Sequence, residues 1–386
     1  MTTEVQNIMI YLDNAATSLK KPFSLYPSVL KNTVSNSANA GRGGHFYSLR
    51  ASELIYQTTE SLCKLFNITS PEQIAYTTNA TLALNMGILG ILDEDSHVII
   101  TQMEHNSVLR PVHKTCSYTT IKADNLGRIN TKDFQKAIQK NTKMIICTHA
   151  SNVCGTIMPI DEIAEIAHRN NLYFMLDAAQ SAGALPIDVE KTGIDIMAFS
   201  GHKGLMMPMG TGGIYVRDSV KLKPVITGGT GSFSENPEQP LNMPDMLQSG
   251  TLNAPAIIAG KKSIDFILKQ GVDEIHKKER HLSSILLNDL KNMDNVSVYS
   301  PETSRNGTVA FNIDKFDSVL LADILNRDYG ICTRGGWHCA YPAHMALGTQ
   351  NTGAIRASFG FFNTKKDAKK LSDAIYKIID KKVFKV

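Results

Sequence analysis

Short apolar runs alternate with amphipathic stretches through the first two thirds of the chain. The runs at residues 73–78, 97–101, 117–121, 144–148, 173–177, 196–200 and 213–216 have strand length. Several are nearly continuous in Val, Ile, Leu, Met and Phe, the pattern of strands covered on both faces. Between them, residues 48–66, 81–92, 131–139 and 160–170 space their apolar positions as helices with one buried side do. This alternation predicts an α/β fold, a mostly parallel sheet with helices on both sides.

The pattern changes after about residue 251. Ala254–Gln270 reads as a long helix, with Pro255 suited to its first turn. A second helix is expected over 274–292, strands near 308–312 and 356–359, a helix over Ser318–Tyr329 and a last one over 365–381. That is a smaller α+β domain. Residues 227–244 are rich in Gly, Pro, Ser and Asn and predict a long loop.

Composition narrows the function. Of 386 residues, 42% are hydrophobic and 20% charged, which excludes a largely disordered chain. A net charge of +4 over this length points to neither nucleic acid nor a membrane surface. Lys365, Lys366, Lys369, Lys370, Lys381 and Lys382 read as a solvated helix face. No apolar run approaches the ~20 residues that span a bilayer. Met1 to Asn7 lacks the basic start of a signal peptide. The six cysteines form no CxxC pair and read as reduced thiols, so a cytoplasmic protein is expected. The Cys147/Cys154 and Cys332/Cys339 spacings match no zinc knuckle, and no metal is expected.

Five short motifs carry candidate chemistry. Ser200-Gly201-His202-Lys203-Gly204 follows an apolar strand, and a Lys in such a turn is poised for Schiff-base chemistry once deprotonated; a surface Lys in a turn is the plainer alternative. Leu176-Asp177-Ala178-Ala179-Gln180 also ends a strand. Asp177 could pair with a protonated pyridine nitrogen or simply cap the next helix. Thr78-Asn79-Ala80-Thr81 opens an apolar helix, where small polar residues make either a phosphate cup or an N-cap. In Glu104-His105-Asn106 the imidazole could stack on a flat cofactor and move protons, or serve the structure only. Arg334-Gly335-Gly336-Trp337-His338-Cys339-Ala340 puts a Cys beside a His and near an Arg, on a segment that two glycines should make mobile. Arg356 is suited to bidentate capture of an amino-acid carboxylate.

Phosphate cup, His, Asp, Lys, Cys loop and Arg occur in that order along the chain. In this the sequence resembles the class V, fold type I pyridoxal-phosphate enzymes, and among them the cysteine desulfurase and selenocysteine lyase family. The resemblance runs from Tyr11-Leu12-Asp13-Asn14-Ala15-Ala16-Thr17 to Arg356-Ala357-Ser358 and beyond, and the His-Cys-Ala loop is similar to that of the Suf-type branch. It implies a large cofactor-binding domain over 16–255 and a small domain, over 1–15 and 256–386, carrying Cys339 and Arg356. Lys203 would hold the cofactor as an imine, Asp177 pair with the pyridine nitrogen, Gln180 bond the ring hydroxyl and His105 stack on the ring. Ala80, Thr81, Ser200 and His202 would hold the phosphate. Thr251, in Ser249-Gly250-Thr251, would reach the phosphate of the other subunit of a homodimer. Asn152 and Arg356 would bind the substrate carboxylate. His45, in Arg42-Gly43-Gly44-His45, and Arg334 would line the substrate pocket. Cys339 would be the nucleophile.

The implied reaction converts L-cysteine to L-alanine and leaves a persulfide on Cys339, for later delivery to a sulfur-acceptor protein. L-selenocysteine would follow the same path. A class V aminotransferase or C–S β-lyase would share the cofactor without needing Cys339. Trp337, where Suf-type relatives commonly have His, and Tyr341 mark an outlying subgroup.

Overall fold

The computed structural model describes residues 9–41 and 43–380. Residues 1–8, Arg42 and residues 381–386, including Lys381 and Lys382, lie outside the described residues.

The main sheet has seven strands in the order Ile74–Thr77, Gly212–Val216, Ile196–Ser200, Tyr173–Asp177, Thr142–Thr148, His97–Thr101 and Ser117–Ile121. The last five run parallel, and Gly212–Val216 is antiparallel to both its neighbours. Helices cover both faces, which is why the apolar runs are continuous: every residue of His97–Thr101, Ile196–Ser200 and Gly212–Val216 is buried. The edge strand Ser117–Ile121 is covered less and is more polar. All the strands and helices expected from the pattern are present, with ends shifted by no more than two residues. Residues 217–253 hold neither helix nor strand, as the Gly/Pro-rich composition implied.

A smaller lobe is built on the antiparallel strands Ile355–Ser358, Thr308–Ile313 and Val296–Val298, in that order. Its core joins Leu286, Phe311, Leu325, Ile355, Leu371 and Ile375 with Ile10 and Leu12 from the start of the chain. Strand Ile10–Tyr11 pairs in parallel with Ile331–Cys332. Helix Ala254–Gln270, which the expected division gives to the small domain, packs on helices Leu25–Ser35 and Phe46–Phe66. Its Ile257, Ile264 and Ile267 join the core of the main sheet.

The pattern does not predict helices Leu25–Ser35, Asn106–Thr115 and Tyr341–Leu347. Pro111 and Pro342 obscure two of them; Pro342 lies in a first turn, where its missing N–H costs nothing. The carboxyl ends of the parallel strands, at Thr101, Thr148, Asp177 and Ser200, share one edge of the sheet. In an open α/β sheet that edge is where ligands gather.

Candidate active site

A cavity of about 310 Å³ opens at this edge. Ala80, Thr81, His105, Asn152, Asp177, Gln180, Ser200, His202 and Lys203 all line it, although they lie on five different segments of the chain.

Lys203 stands in the turn after Ile196–Ser200. Gly201 in that turn has no room for a side chain, since a Cβ would overlap Thr211. Burial, aided by the Arg356 and Arg334 charges and opposed by Asp177, pushes the Lys203 amine down to about 8. An ammonium there releases its proton far more readily than an exposed lysine, as imine chemistry needs. Asp177 is buried at a strand end, and burial pushes its carboxyl up despite the Ala179 amide at 2.8 Å on Oδ1 and the nearby Lys203. A carboxylate so placed gains from a cationic partner. No helix follows it directly, so it closes a turn rather than capping a helix.

At the opposite wall, Asn79 caps helix Ala80–Ile91 by accepting from the Leu82 amide at 3.0 Å. The Ala80 amide donates to Ser200 Oγ at 3.2 Å. His202 Nδ1 is buried with no hydrogen-bond partner among the described residues. A helix amino end, a hydroxyl and an unmet ring nitrogen suit an anion such as phosphate. Here the N-cap and phosphate-cup readings of residues 78–81 are both consistent with one geometry. Gln180 donates from Nε2 to the Ala15 carbonyl at 3.0 Å.

His105 is half-buried and caps helix Asn106–Thr115. The Ser107 amide donates to its Nδ1 at 3.1 Å, and Ser107 Oγ lies 2.8 Å from the same atom. Burial, then the charges of Lys203 and Arg334, push its pKa down to about 4. The ring is therefore neutral with its proton on Nε2. Ser107 Oγ continues to Thr81 Oγ at 2.8 Å, joining the ring's support to the cup. The sequence reading missed Ser107, whose only signal is its place two residues after His105.

The Cys339 loop meets the residues around the cavity through two hydrogen bonds. The Asn106 amide donates to the Cys339 carbonyl at 2.8 Å. Asn152 donates from Nδ2 to the His338 carbonyl at 2.7 Å. His338 and Cys339 both have left-handed backbones, with φ of 51° and 58°. Each such non-glycine residue costs on the order of 1–2 kcal/mol, so the loop's conformation is imposed by its partners. In this structure both glycines are in contact with the start of helix Ser318–Tyr329. A Cβ on Gly335 would overlap the Ser318 carbonyl, and the Gly336 amide donates to Ser318 Oγ at 3.2 Å. Cys339 itself is exposed.

Arg356 is 2% exposed. It donates from Nη1 to the Asn152 carbonyl at 2.9 Å and from Nη2 to Asp13 Oδ1 at 2.5 Å. Its Nε is buried with no partner among the described residues. Asp13 had no assigned role, because nothing local in the sequence links it to a residue 343 positions away. Arg334 is exposed, is joined to Arg356 by a backbone bridge, and its charge acts on Lys203 and His105. Two expected residues lie apart from the cavity. His45 is exposed and caps helix Phe46–Phe66, its Nδ1 accepting from the Ser48 amide at 3.4 Å. Thr251 is exposed and does not line the cavity of its own chain.

Residues 10–371 match the family model described as aminotransferase class-V. The chain is 34% identical to a probable cysteine desulfurase of Halalkalibacterium halodurans, over 96% of this chain and 93% of that one. It is 30% identical to a cysteine desulfurase of Haloferax volcanii, over 95% and 88%. Among solved structures, the apo cysteine desulfurase of Thermococcus onnurineus superposes with a TM-score of 0.90 at 29% identity, covering 96% of this chain and 95% of that one. The cysteine desulfurase CsdA of Escherichia coli shares the fold, with a TM-score of 0.85 at 23% identity and coverage of 96% and 95%.

Proposed function

Because the chain belongs to the aminotransferase class-V family, whose members use pyridoxal phosphate, we propose that it is a cysteine desulfurase. The carrying observation is that Lys203 and Asp177 line one cavity while the backbone of Cys339 is hydrogen-bonded to the residue after His105. The residues fit the cofactor. The low-pKa amine of Lys203 suits its aldehyde and the buried Asp177 its ring nitrogen. The helix amino end at Ala80–Thr81, Ser200 and the unmet His202 Nδ1 suit its phosphate. When bound, pyridoxal phosphate supplies an electron sink for a carbanion at the substrate Cα.

The chain's own groups do the rest. Asn152 and Arg356 would hold the substrate carboxylate and Arg334 would line the substrate pocket, while His45, which lies apart from this cavity, could line only a pocket that a partner subunit shares. Lys203 removes the Cα proton and returns one later. His105, neutral with its proton on Nε2, would stack on the cofactor ring and could donate that proton. The Cys339 sulfur attacks the substrate sulfur. The S–S bond forms as the substrate C–S bond breaks, and that electron pair stays on carbon, which is protonated to give L-alanine. Carbon is reduced and sulfur oxidised, so no outside oxidant is needed.

Homodimerisation is part of this proposal. Phe23, Tyr26, Leu30 and Val34 are exposed along one helix region, as are Phe46, Tyr47 and Leu49 on the next, an apolar surface suited to a second copy. Thr251 would serve the partner's cavity. Cofactor binding by the larger domain, residues 16–255, is proposed with it, and the packing of Ala254–Gln270 favours a boundary after that helix. No described helix is long and apolar enough to cross a membrane, and all six cysteines are unpaired, which supports a cytoplasmic setting. The persulfide would pass to an acceptor protein.

Purified Cys339→Ala tests the reading. It should keep the cofactor absorbance that borohydride removes, yet form no alanine from cysteine or selenocysteine. Full retained activity would refute the nucleophile, and pyruvate in place of alanine would indicate a β-lyase.

A further inference from the structure

One chain of hydrogen bonds supports the Cys339 loop. Thr349 Oγ lies 2.7 Å from His344 Nδ1, His344 Nε2 lies 3.3 Å from His338 Nδ1, and His338 Nε2 lies 3.2 Å from the Arg334 carbonyl. All three side chains are buried, and the two imidazoles stack with centroids 5.5 Å apart and an interplanar angle of 11°. One proton arrangement satisfies this set. A carbonyl only accepts, so His338 carries its proton on Nε2. Burial keeps both rings neutral, so His338 Nδ1 accepts and His344 donates to it from Nε2. His344 Nδ1 is then left to accept from the Thr349 hydroxyl.

The chain ends at the residue that most needs support. His338 and Cys339 are the consecutive left-handed pair. Their carbonyls accept from Asn152 and Asn106, while the His338 ring is bonded by His344, on helix Tyr341–Leu347 whose Ala343 and Leu347 join the core of the main sheet. We propose that His344, oriented by Thr349, is a positioning residue for sulfur transfer: its Nε2–H fixes the His338 ring and so sets the backbone from which the Cys339 thiol acts. The inference rests on Cys339 being the nucleophile.

The test uses holoenzyme. Alkylation of Cys339 by iodoacetamide is followed on the peptide that carries it, beside kcat and KM for cysteine and the cofactor absorbance. His344→Leu should slow both alkylation and kcat at least about tenfold, with KM and absorbance within about twofold of the parent. His344→Gln, which keeps a donor near the Nε2 position, should recover to within about threefold. Unchanged rates in His344→Leu, or a Gln variant no better than Leu, overturn the proposal. Should His344→Leu fail to fold, Thr349→Val carries the test: a several-fold loss rescued by Thr349→Ser is expected, and no loss overturns it. If Cys339→Ala remains fully active, the proposed function fails separately, since the alkylation rate still reads the placement of the thiol.

Discussion

Lys203 and Cys339 come to one site on opposite kinds of backbone. Lys203 follows a strand whose five residues are all buried, in a turn where Gly201 packs against Thr211. Its position is set by the sheet. Cys339 is exposed, has a left-handed backbone, and is held by hydrogen bonds from Asn106 and, through its neighbour, Asn152 and His344. Its position is set by Asn106 and Asn152, far away in sequence, and by His344 close by. The group proposed to hold the cofactor stands on the sheet. The group proposed to attack and then hand on its sulfur stands at the surface, on a loop held by hydrogen bonds.

The sharpest way to separate the two is Lys203→Ala. It should lower turnover by on the order of 10³ while leaving alkylation of Cys339 near the parent rate, as read by product and alkylation assays. If the thiol rate falls equally, the two regions are not independent.

The reverse cut is Gly335→Ala. The added Cβ meets backbone atoms of Ser318 and Val319, the start of helix Ser318–Tyr329, so neither side yields easily. A loss of about 3 kcal/mol is expected from urea unfolding, with slower Cys339 alkylation and an unchanged cofactor absorbance. A neutral result would mean the loop floats after all.

The strand-end region has its own pH signature. Burial pushes Glu104 up to about 8 from an ordinary 4.5, although the Thr101 hydroxyl and Thr148 amide bond its Oε1. The folded chain thus binds this proton more tightly than the unfolded chain. That stability is complete below about 4.5 and is lost as pH rises through about 8. Glu104→Gln keeps the Oε1 acceptor and cannot ionise. Over that window it should lose less stability than the parent, by on the order of 1–2 kcal/mol in urea midpoints. Identical slopes would contradict the buried acid.

Smallest is Trp337→Phe, which removes the Nε1–H bond to the Gln350 carbonyl at 2.9 Å on a half-exposed ring. About 0.5–1 kcal/mol should go from thermal stability, with the cofactor region untouched.

The same contrast explains what could be read from sequence. The strand runs were legible because both faces are covered, so apolar residues fill them without a break. Lys203, Asp177, His105 and Ala80 were legible because each follows or opens such an element. Ser107, Asp13 and His344 were not, since their roles come from a neighbouring ring, an arginine 343 positions off and an imidazole in another turn. The packing of Gly335 against the Ser318 carbonyl was not legible either, because that carbonyl is not nearby in the chain.

Strand Ile10–Tyr11 is sewn to Ile331–Cys332, and Asp13 to Arg356. On a ribosome their partners emerge more than 300 residues after them. At a translation rate of about 5–20 residues per second, that interval is roughly a quarter of a minute to a minute. Through all of it Ile10 and Leu12 have no core to enter. All seven strands of the main sheet precede Arg356 in the chain, so the carboxylate capture proposed for it waits for the smaller lobe.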